Sequence, residues 1–193
     1  MTTKTIDYKN IFYPPGGILI WILIILELLT FGVSLIVLAI FSQEDPTAYH
    51  NSRLLLNPTY GAINTLFLLT SGYFMATSLK YFKKGETKKS SLFMKLTMLG
   101  GVLFLMLKGV EYYQKIDQGL TIAYDTFFSF YWLLTGFHVI HVLVGMVILL
   151  SIFFGLRKQD GETKLEDIEA GAAFWHMCDL IWLILFPMLY LIL

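Results

Sequence analysis

The chain has 193 residues, of which 56% are hydrophobic and 15% are charged, and its mean hydropathy is +0.67. Because a soluble domain carries about 25% charged residues, this composition indicates an integral membrane protein. The formal net charge is zero and Cys178 is the single cysteine. A basic surface for nucleic acid, an internal disulfide and a CxxC site are therefore excluded.

Five apolar stretches are long enough to cross a bilayer, which takes about 20 residues of helix. The predicted spans cover residues 17–41, 59–82, 91–113, 126–155 and 170–193. The breaks between them are polar: a first loop with Pro46 and Pro58, a short lysine-rich loop, and a charged linker before the last span. The sequence predicts an all-α fold, a single membrane domain over residues 1–193 with five transmembrane helices.

The placement of Lys and Arg predicts the orientation of the chain. With five spans, the N-terminus and the second and fourth loops share one side of the membrane. That side holds eleven of the fourteen basic residues: Lys4, Lys9, Lys80, Lys83, Lys84, Lys88, Lys89, Lys95, Arg157, Lys158 and Lys164. We therefore expect the N-terminus in the cytoplasm and the C-terminus outside. The lysine-rich loop is also expected to attract anionic lipid headgroups.

Weaker signals concern the ends and the packing of the spans. Asp125 is a plausible N-cap for the fourth span. Small residues at Thr70-Ser71-Gly72 and Ala76 allow close approach of helices. Aromatic residues near the span ends fit either interfacial belts or packing: Trp21, Tyr60, Tyr81, Tyr124, Tyr131 and Trp175.

Ionisable residues within the spans are the first candidates for a functional site, because they are costly in lipid. Glu27 lies about 15 Å into the first span. His141 in the antiparallel fourth span lies about 21 Å from the same side, within a helical turn of that depth. A Glu27–His141 hydrogen bond is therefore feasible, with His138 one turn away on the same face. The alternative is that each histidine bonds a backbone carbonyl or a threonine such as Thr135.

A metal or haem site in this chain is not expected. His138 and His141 are three residues apart on one helix and cannot bind a single haem from both faces. A di-iron bundle needs Glu-x-x-His pairs on two helices, and the sequence has one deep glutamate and no such pair.

Two further charged pairs have a spacing of three residues. His176 and Asp179 share a face of the fifth span, where they can pair with each other or meet a neighbouring chain. Glu111 closes the third span on its outer side, and Lys108 lies one turn earlier. We expect these two residues to form an interfacial ion pair.

Several segments together resemble the subunit III family of haem-copper respiratory oxidases. The glutamate-bearing first span and INTLFLLTSG are similar to helices of that family. The most specific segments then follow in the family's order and spacing: KGVEYYQ, FFSFYWLLTGFHVIHVLVG and EAGAAFWHMCDLIWL. The resemblance covers nearly the whole chain.

The resemblance implies a non-catalytic, five-helix version of a fold that has seven helices in many members. Haem and copper are expected in the catalytic subunit I, beside which this chain would pack with bound phospholipid and support sustained proton uptake. The implied location is the bacterial cytoplasmic membrane. By position, the implied buried polar cluster at a lipid cleft is Glu27, His138 and His141, and the other motif positions are Glu111, His176 and Asp179.

Three alternative functions remain open from the sequence. A five-helix branch of the family accompanies bacterial nitric oxide reductases, and SFYWLLTGFH and WHMCDLIWLILFPMLYL resemble that branch as well. An independent transporter or proton channel could use Glu27 and the histidines, although the paired repeats and broken helices of transporters are not evident. A membrane cytochrome with its own haem is the third alternative.

Overall fold

The computed structural model describes residues 14–157 and 163–192, so Lys4, Lys9, Lys158 and the last residue of the fifth predicted span lie outside the described residues. Within those ranges the chain forms six α-helices: α1 Ile18–Glu44, α2 Pro46–Leu54, α3 Pro58–Lys83, α4 Thr87–Asp117, α5 Thr126–Arg157 and α6 Leu165–Pro187. A π-helical segment, Met188–Ile192, continues α6.

The predicted all-α fold with five membrane-spanning helices is confirmed. Helices α1, α3, α4, α5 and α6 are each long and apolar enough to cross a membrane, and the described residues contain no strand. The helices extend past several predicted spans, since polar residues continue the helical backbone beyond the apolar stretch. The last span, for example, begins at Leu165 rather than at residue 170.

Helix α2 lies in the stretch that the sequence predicts to be a polar loop. Asp45 caps it, because the side chain accepts a 3.0 Å hydrogen bond from the backbone N–H of Ala48, and Pro46 occupies its first turn. Asn57 and Pro58 begin α3 in the same way, with a 3.0 Å bond from Thr59 N–H to the Asn57 side chain. Proline suits this position because its fixed φ is helical and its missing N–H needs no partner.

Of the small residues predicted to allow close helix approach, Ser71 holds α3 close to α4, whereas Thr70 and Ala76 are exposed. The Ser71 hydroxyl donates a 2.8 Å hydrogen bond to the Thr97 carbonyl of α4. A side chain at Gly100 would collide with Ser71. One end of the pair is closed by the Ser78 hydroxyl, which donates 2.8 Å to the Ser90 carbonyl. In a membrane, such contacts replace the hydrophobic drive that associates helices in water.

Helices α3, α4, α5 and α6 contact one another in a ring, and α1 packs outside it against α5 and α6. Tyr131 and Trp175 are fully buried in this arrangement, so they pack, whereas Trp21 and Tyr124 are exposed. The predicted N-cap of α5 is confirmed, since the Phe128 N–H donates a 2.6 Å bond to Asp125. The ring places the polar side chains of several helices in one core.

Candidate functional site

Glu27 and His141 come together where α1 packs against α5. His141 Nε2 lies 3.1 Å from Glu27 Oε2, and the side chains are 10% and 19% exposed, respectively. This is an ion-pair distance, but the contact is not aligned as a hydrogen bond, because Glu27 Oε2 has no hydrogen-bond partner among the described residues. Matching the depths of residues on antiparallel spans thus identifies the correct neighbours.

The second ring nitrogen of His141 fixes the position of one proton. His141 Nδ1 lies 2.8 Å from the carbonyl oxygen of Phe137. A carbonyl only accepts, so Nδ1 carries a hydrogen. Nε2 and the Glu27 carboxyl then form either a neutral pair that holds one proton or a carboxylate–imidazolium pair. The rings of Phe31 and Phe137 surround the imidazole, with centroids 5.7 and 4.5 Å away.

His138 does not join Glu27. Its Nε2 lies 3.1 Å from the carbonyl oxygen of Cys178 on α6. The fully buried ring is flanked by Phe104 and Trp182, at centroid distances of 5.5 and 5.2 Å. Residues three apart on a helix point about 60° apart, which is enough to direct two histidines to different neighbours. For His138, the alternative of a backbone carbonyl partner is the one that the structure shows.

Three of the four ring nitrogens of His138 and His141 face a partner within the chain, whereas His138 Nδ1 is buried without a hydrogen-bond partner among the described residues. Both nitrogens of His141 face a partner, and Nε2 of His138 is bonded to a carbonyl. Across residues 14–157 and 163–192, no three His, Cys, Asp or Glu side chains come together.

Lys108 and Glu111 form the predicted ion pair, and both side chains are buried. Lys108 Nζ lies 2.9 Å from Glu111 Oε2, and the two side chains are 1% and 0% exposed. The pair faces the centre of the bundle. Burying two charges is tolerated only when the geometry is good and further hydrogen bonds satisfy the remaining polar atoms.

Two tyrosines supply those hydrogen bonds, and with Lys108 and Glu111 they form what we call the Lys108 cluster. Lys108 Nζ donates to the Tyr190 hydroxyl at 2.8 Å and to the Tyr131 hydroxyl at 3.3 Å. Tyr190 in turn donates a 2.6 Å hydrogen bond to Glu111 Oε1. All three ammonium donors and both carboxylate oxygens are therefore used.

Aromatic rings complete the enclosure of the ammonium group. Lys108 Nζ lies 4.8 Å from the centroid of Tyr131 and 5.1 to 5.4 Å from those of Tyr112, Trp182 and Tyr190. A cation over ring faces at these distances is attracted by their quadrupoles. The cluster joins α4, α5 and the π-helical segment. Tyr190 was not predicted from the sequence. The only sequence signal for this cluster was the Lys-x-x-Glu pair, Lys108 and Glu111, inside an apolar span.

His176 and Asp179 also pair within one helix, in a more open place. His176 Nδ1 lies 3.6 Å from Asp179 Oδ2; the histidine side chain is 45% exposed and the aspartate 9%. The carboxylate occupies the recess left by Gly72 of α3, where a Cβ atom would collide with it. Asp179 Oδ1 has no hydrogen-bond partner among the described residues.

A further ion pair, which the sequence reasoning did not single out, joins the neighbouring ends of α3 and α6. Lys83 Nζ lies 2.7 Å from Glu169 Oε1, and Glu169 is nearly fully buried. The sequence does carry a signal for this pair, because Lys83 and Glu169 have opposite charges and lie at helix ends on the same side of the bundle. This contact ties the start of α6 to α3.

The similarity of the chain to known proteins covers the helices described above. Residues 47–192 match the sequence profile described as Cytochrome c oxidase subunit III. The chain belongs to the subunit III family. This confirms the resemblance drawn from the motifs, and the matched range includes the Lys108 cluster, both histidines of α5 and the His176–Asp179 pair.

Individual members of the family align with different fractions of this chain and of their own length. Cytochrome bo(3) ubiquinol oxidase subunit 3 of Buchnera aphidicola is 29% identical over 173 residues, which cover 89% of this chain and 91% of the relative. Cytochrome c oxidase subunit 3 of Corynebacterium diphtheriae is 29% identical, over 71% of this chain and 67% of the relative. The wheat protein of that name is 35% identical over 66% of this chain, and the match spans 48% of its own length.

Proposed function

We propose that this chain is the non-catalytic subunit III of a haem-copper terminal oxidase in aerobic respiratory electron transport. The observation that carries the proposal is the family match over residues 47–192. Relatives named as subunits of a ubiquinol oxidase and of cytochrome c oxidases support it. In this proposal haem and copper belong to the catalytic subunit I, beside which the chain packs.

The supporting role has two parts. The Lys108 cluster matches its charges within the chain, which suits a residue set that orients helices rather than one that reacts. The Glu27–His141 pair keeps some exposure at the α1–α5 contact, next to an apolar outer face of α1. We propose that phospholipid lies along this face and that the pair supports sustained proton uptake by the neighbouring subunit.

The proposed location is the bacterial cytoplasmic membrane, with the chain as a single membrane domain whose N-terminus is cytoplasmic. The lysines around the turn between α3 and α4 are exposed: Lys80, Lys83, Lys84, Lys88 and Lys89. Cytoplasmic loops carry an excess of such residues. The same turn is a suitable contact for anionic headgroups.

Purification of the chain from its native membrane tests the proposal. We expect a co-purifying subunit with haem and copper, and a complex that consumes oxygen. Consumption of nitric oxide without oxygen consumption would instead make the chain an accessory of a nitric oxide reductase. A Soret band that stays with the isolated chain would contradict a subunit without its own redox centre.

Replacing Glu27 with alanine tests the supporting role of the pair. We expect Glu27→Ala to leave the initial rate of the assembled oxidase nearly unchanged but to shorten the time over which turnover continues. Thr30→Ala is the matched control, since Thr30 is a polar residue on α1 whose hydroxyl bonds only its own helix, at Leu26. Complete loss of turnover in an assembled Glu27→Ala complex would contradict a supporting role.

A further inference from the structure

His176 places an imidazole on the outer surface of the bundle at a depth where lipid chains lie. The apolar part of this helix begins near residue 170 and the described helix ends at Ile192, so His176 is about 9 Å from one end of the apolar stretch and about 24 Å from the other. The hydrocarbon core of a bilayer is about 30 Å thick. The side chain is nevertheless 45% exposed. Ionisable groups at this depth normally face the interior of the protein.

Asp179 determines which edge of the His176 ring is turned outwards. The carboxylate faces Nδ1 at 3.6 Å, and Gly72 provides the space in which it lies. Nε2 is on the opposite edge of the ring, and no residue in 14–157 or 163–192 hydrogen-bonds to it. With a hydrogen on Nδ1 towards the carboxylate, Nε2 of the neutral ring is a hydrogen-bond acceptor.

The residues around His176 make the imidazole the polar centre of an apolar face. Leu180 and Leu183 follow it on α6, and Leu69 and Tyr73 flank Gly72 on α3; all four side chains are exposed. Acyl chains can cover the leucines but offer nothing that donates to Nε2. A polar group that is desolvated without a hydrogen bond costs free energy, which a protein neighbour with a donor would recover.

We propose that a transmembrane helix of another subunit covers this face, which consists of Leu69, Tyr73, His176, Leu180 and Leu183. That helix carries a hydrogen-bond donor opposite His176 Nε2, in the form of a hydroxyl, an amide or an indole N–H. Asp179 is a positioning residue that holds the ring. The inference rests on the proposed function only in requiring that the chain has a neighbouring subunit.

Site-specific photo-cross-linking in the intact complex tests this interface. A photoreactive residue at position 180 is expected to cross-link to a membrane-spanning segment of a co-purified subunit, within about one helical turn of a donor side chain. Val147, which is 67% exposed on α5, is the control position, and we expect it to cross-link to lipid. Adducts to lipid alone from position 180, to a second copy of this chain, or to a helix without a donor would each overturn the proposal.

The contribution of the imidazole is tested separately by substitution. We expect His176→Leu to weaken retention of the subunit during detergent washing of the complex by roughly three- to fifteen-fold. His176→Gln, whose amide oxygen can accept the same hydrogen bond, should restore most of the retention. His50→Leu changes a histidine of α2 away from this face and serves as control. Equal retention of His176→Leu and the native chain would overturn the role of Nε2.

The two experiments also separate this inference from the proposed function. If no haem-copper subunit co-purifies, the proposed function fails. If that subunit co-purifies and position 180 still contacts only lipid, the proposed function stands and the inference fails.

Discussion

Two ion pairs with the same spacing behave differently in this bundle. Lys108 and Glu111 on α4, like His176 and Asp179 on α6, are three residues apart on a transmembrane helix. The first pair is closed in by two tyrosine hydroxyls and has every charged atom matched. The second keeps a half-exposed ring and a carboxylate oxygen without a partner among the described residues.

The difference shows that a spacing of three residues predicts that two charged side chains pair. It does not predict whether the pair stabilises the chain or contacts another subunit. A pair whose polar atoms are all satisfied within the chain stabilises the chain itself. A pair that leaves a polar atom without a partner at the surface, at bilayer depth, favours a contact with a neighbouring subunit. The following substitutions test this contrast, beginning with the largest expected effect.

Lys108→Met is expected to be the most damaging change, because it leaves the buried carboxyl group of Glu111 without its cation. Removing one partner of a buried pair costs about 3–5 kcal/mol. Thermal unfolding of the detergent-solubilised protein measures this loss. Lys88→Met, an exposed change on the same helix, is the control and should have little effect.

The double variant Lys108→Met with Glu111→Leu sharpens the same point. Since replacement of both charges removes the uncompensated carboxylate, the double variant should be more stable than Lys108→Met alone. A double variant that is equally or more unstable would mean that the hydrogen bonds to the tyrosines, rather than charge balance, dominate the Lys108 cluster.

Gly72→Ala is expected to have an intermediate effect on stability. The added methyl group collides with the Asp179 carboxylate, and overpacking of this kind costs about 1–3 kcal/mol. Gly109→Ala on α4 is the matched control, because nothing lies within 4 Å of the added atom. That control should be neutral or slightly stabilising, since alanine favours helix over glycine. Equal unfolding temperatures for the two variants would show that Asp179 moves aside freely.

His176→Leu should have the smallest effect on the isolated chain. The half-exposed ring makes no hydrogen bond to another helix and lies 3.6 Å from Asp179, so we expect a loss of less than about 1 kcal/mol, as for exposed ion pairs in general. The measurement is again thermal unfolding in detergent. A loss as large as that of Lys108→Met would mean that the two pairs are equivalent and would remove the contrast between them.

The fold could be predicted largely from hydropathy, because long apolar runs in a bilayer have few alternatives to helix. Helix α2 was not predicted, because its nine residues are polar and too few to cross a bilayer, although Asp45 followed by Pro46 is a helix-start signal. The lengths of the helices were also underestimated, as apolar content marks the lipid-crossing part and not the helix end.

Polar contacts between different helices were predictable only where depth alone identified the partner. Glu27 and His141 lie at matching depths on antiparallel spans, so counting residues was sufficient. Lys108 and Tyr190 are 82 residues apart, and their contact depends on which face each helix turns inwards. Helices that are apolar all round give no such facial signal. For the same reason His138 was wrongly grouped with Glu27.

The position of Glu27 on the first helix has a consequence for biosynthesis. Its counterpart His141 is synthesised 114 residues later, and translation at about 5–20 residues per second takes roughly 6–23 s to reach it. During that interval no imidazole of α5 exists to pair with Glu27. Folding of this polypeptide therefore includes a stage in which a chaperone, the translocon or water must accommodate a carboxyl group that the finished bundle shelters.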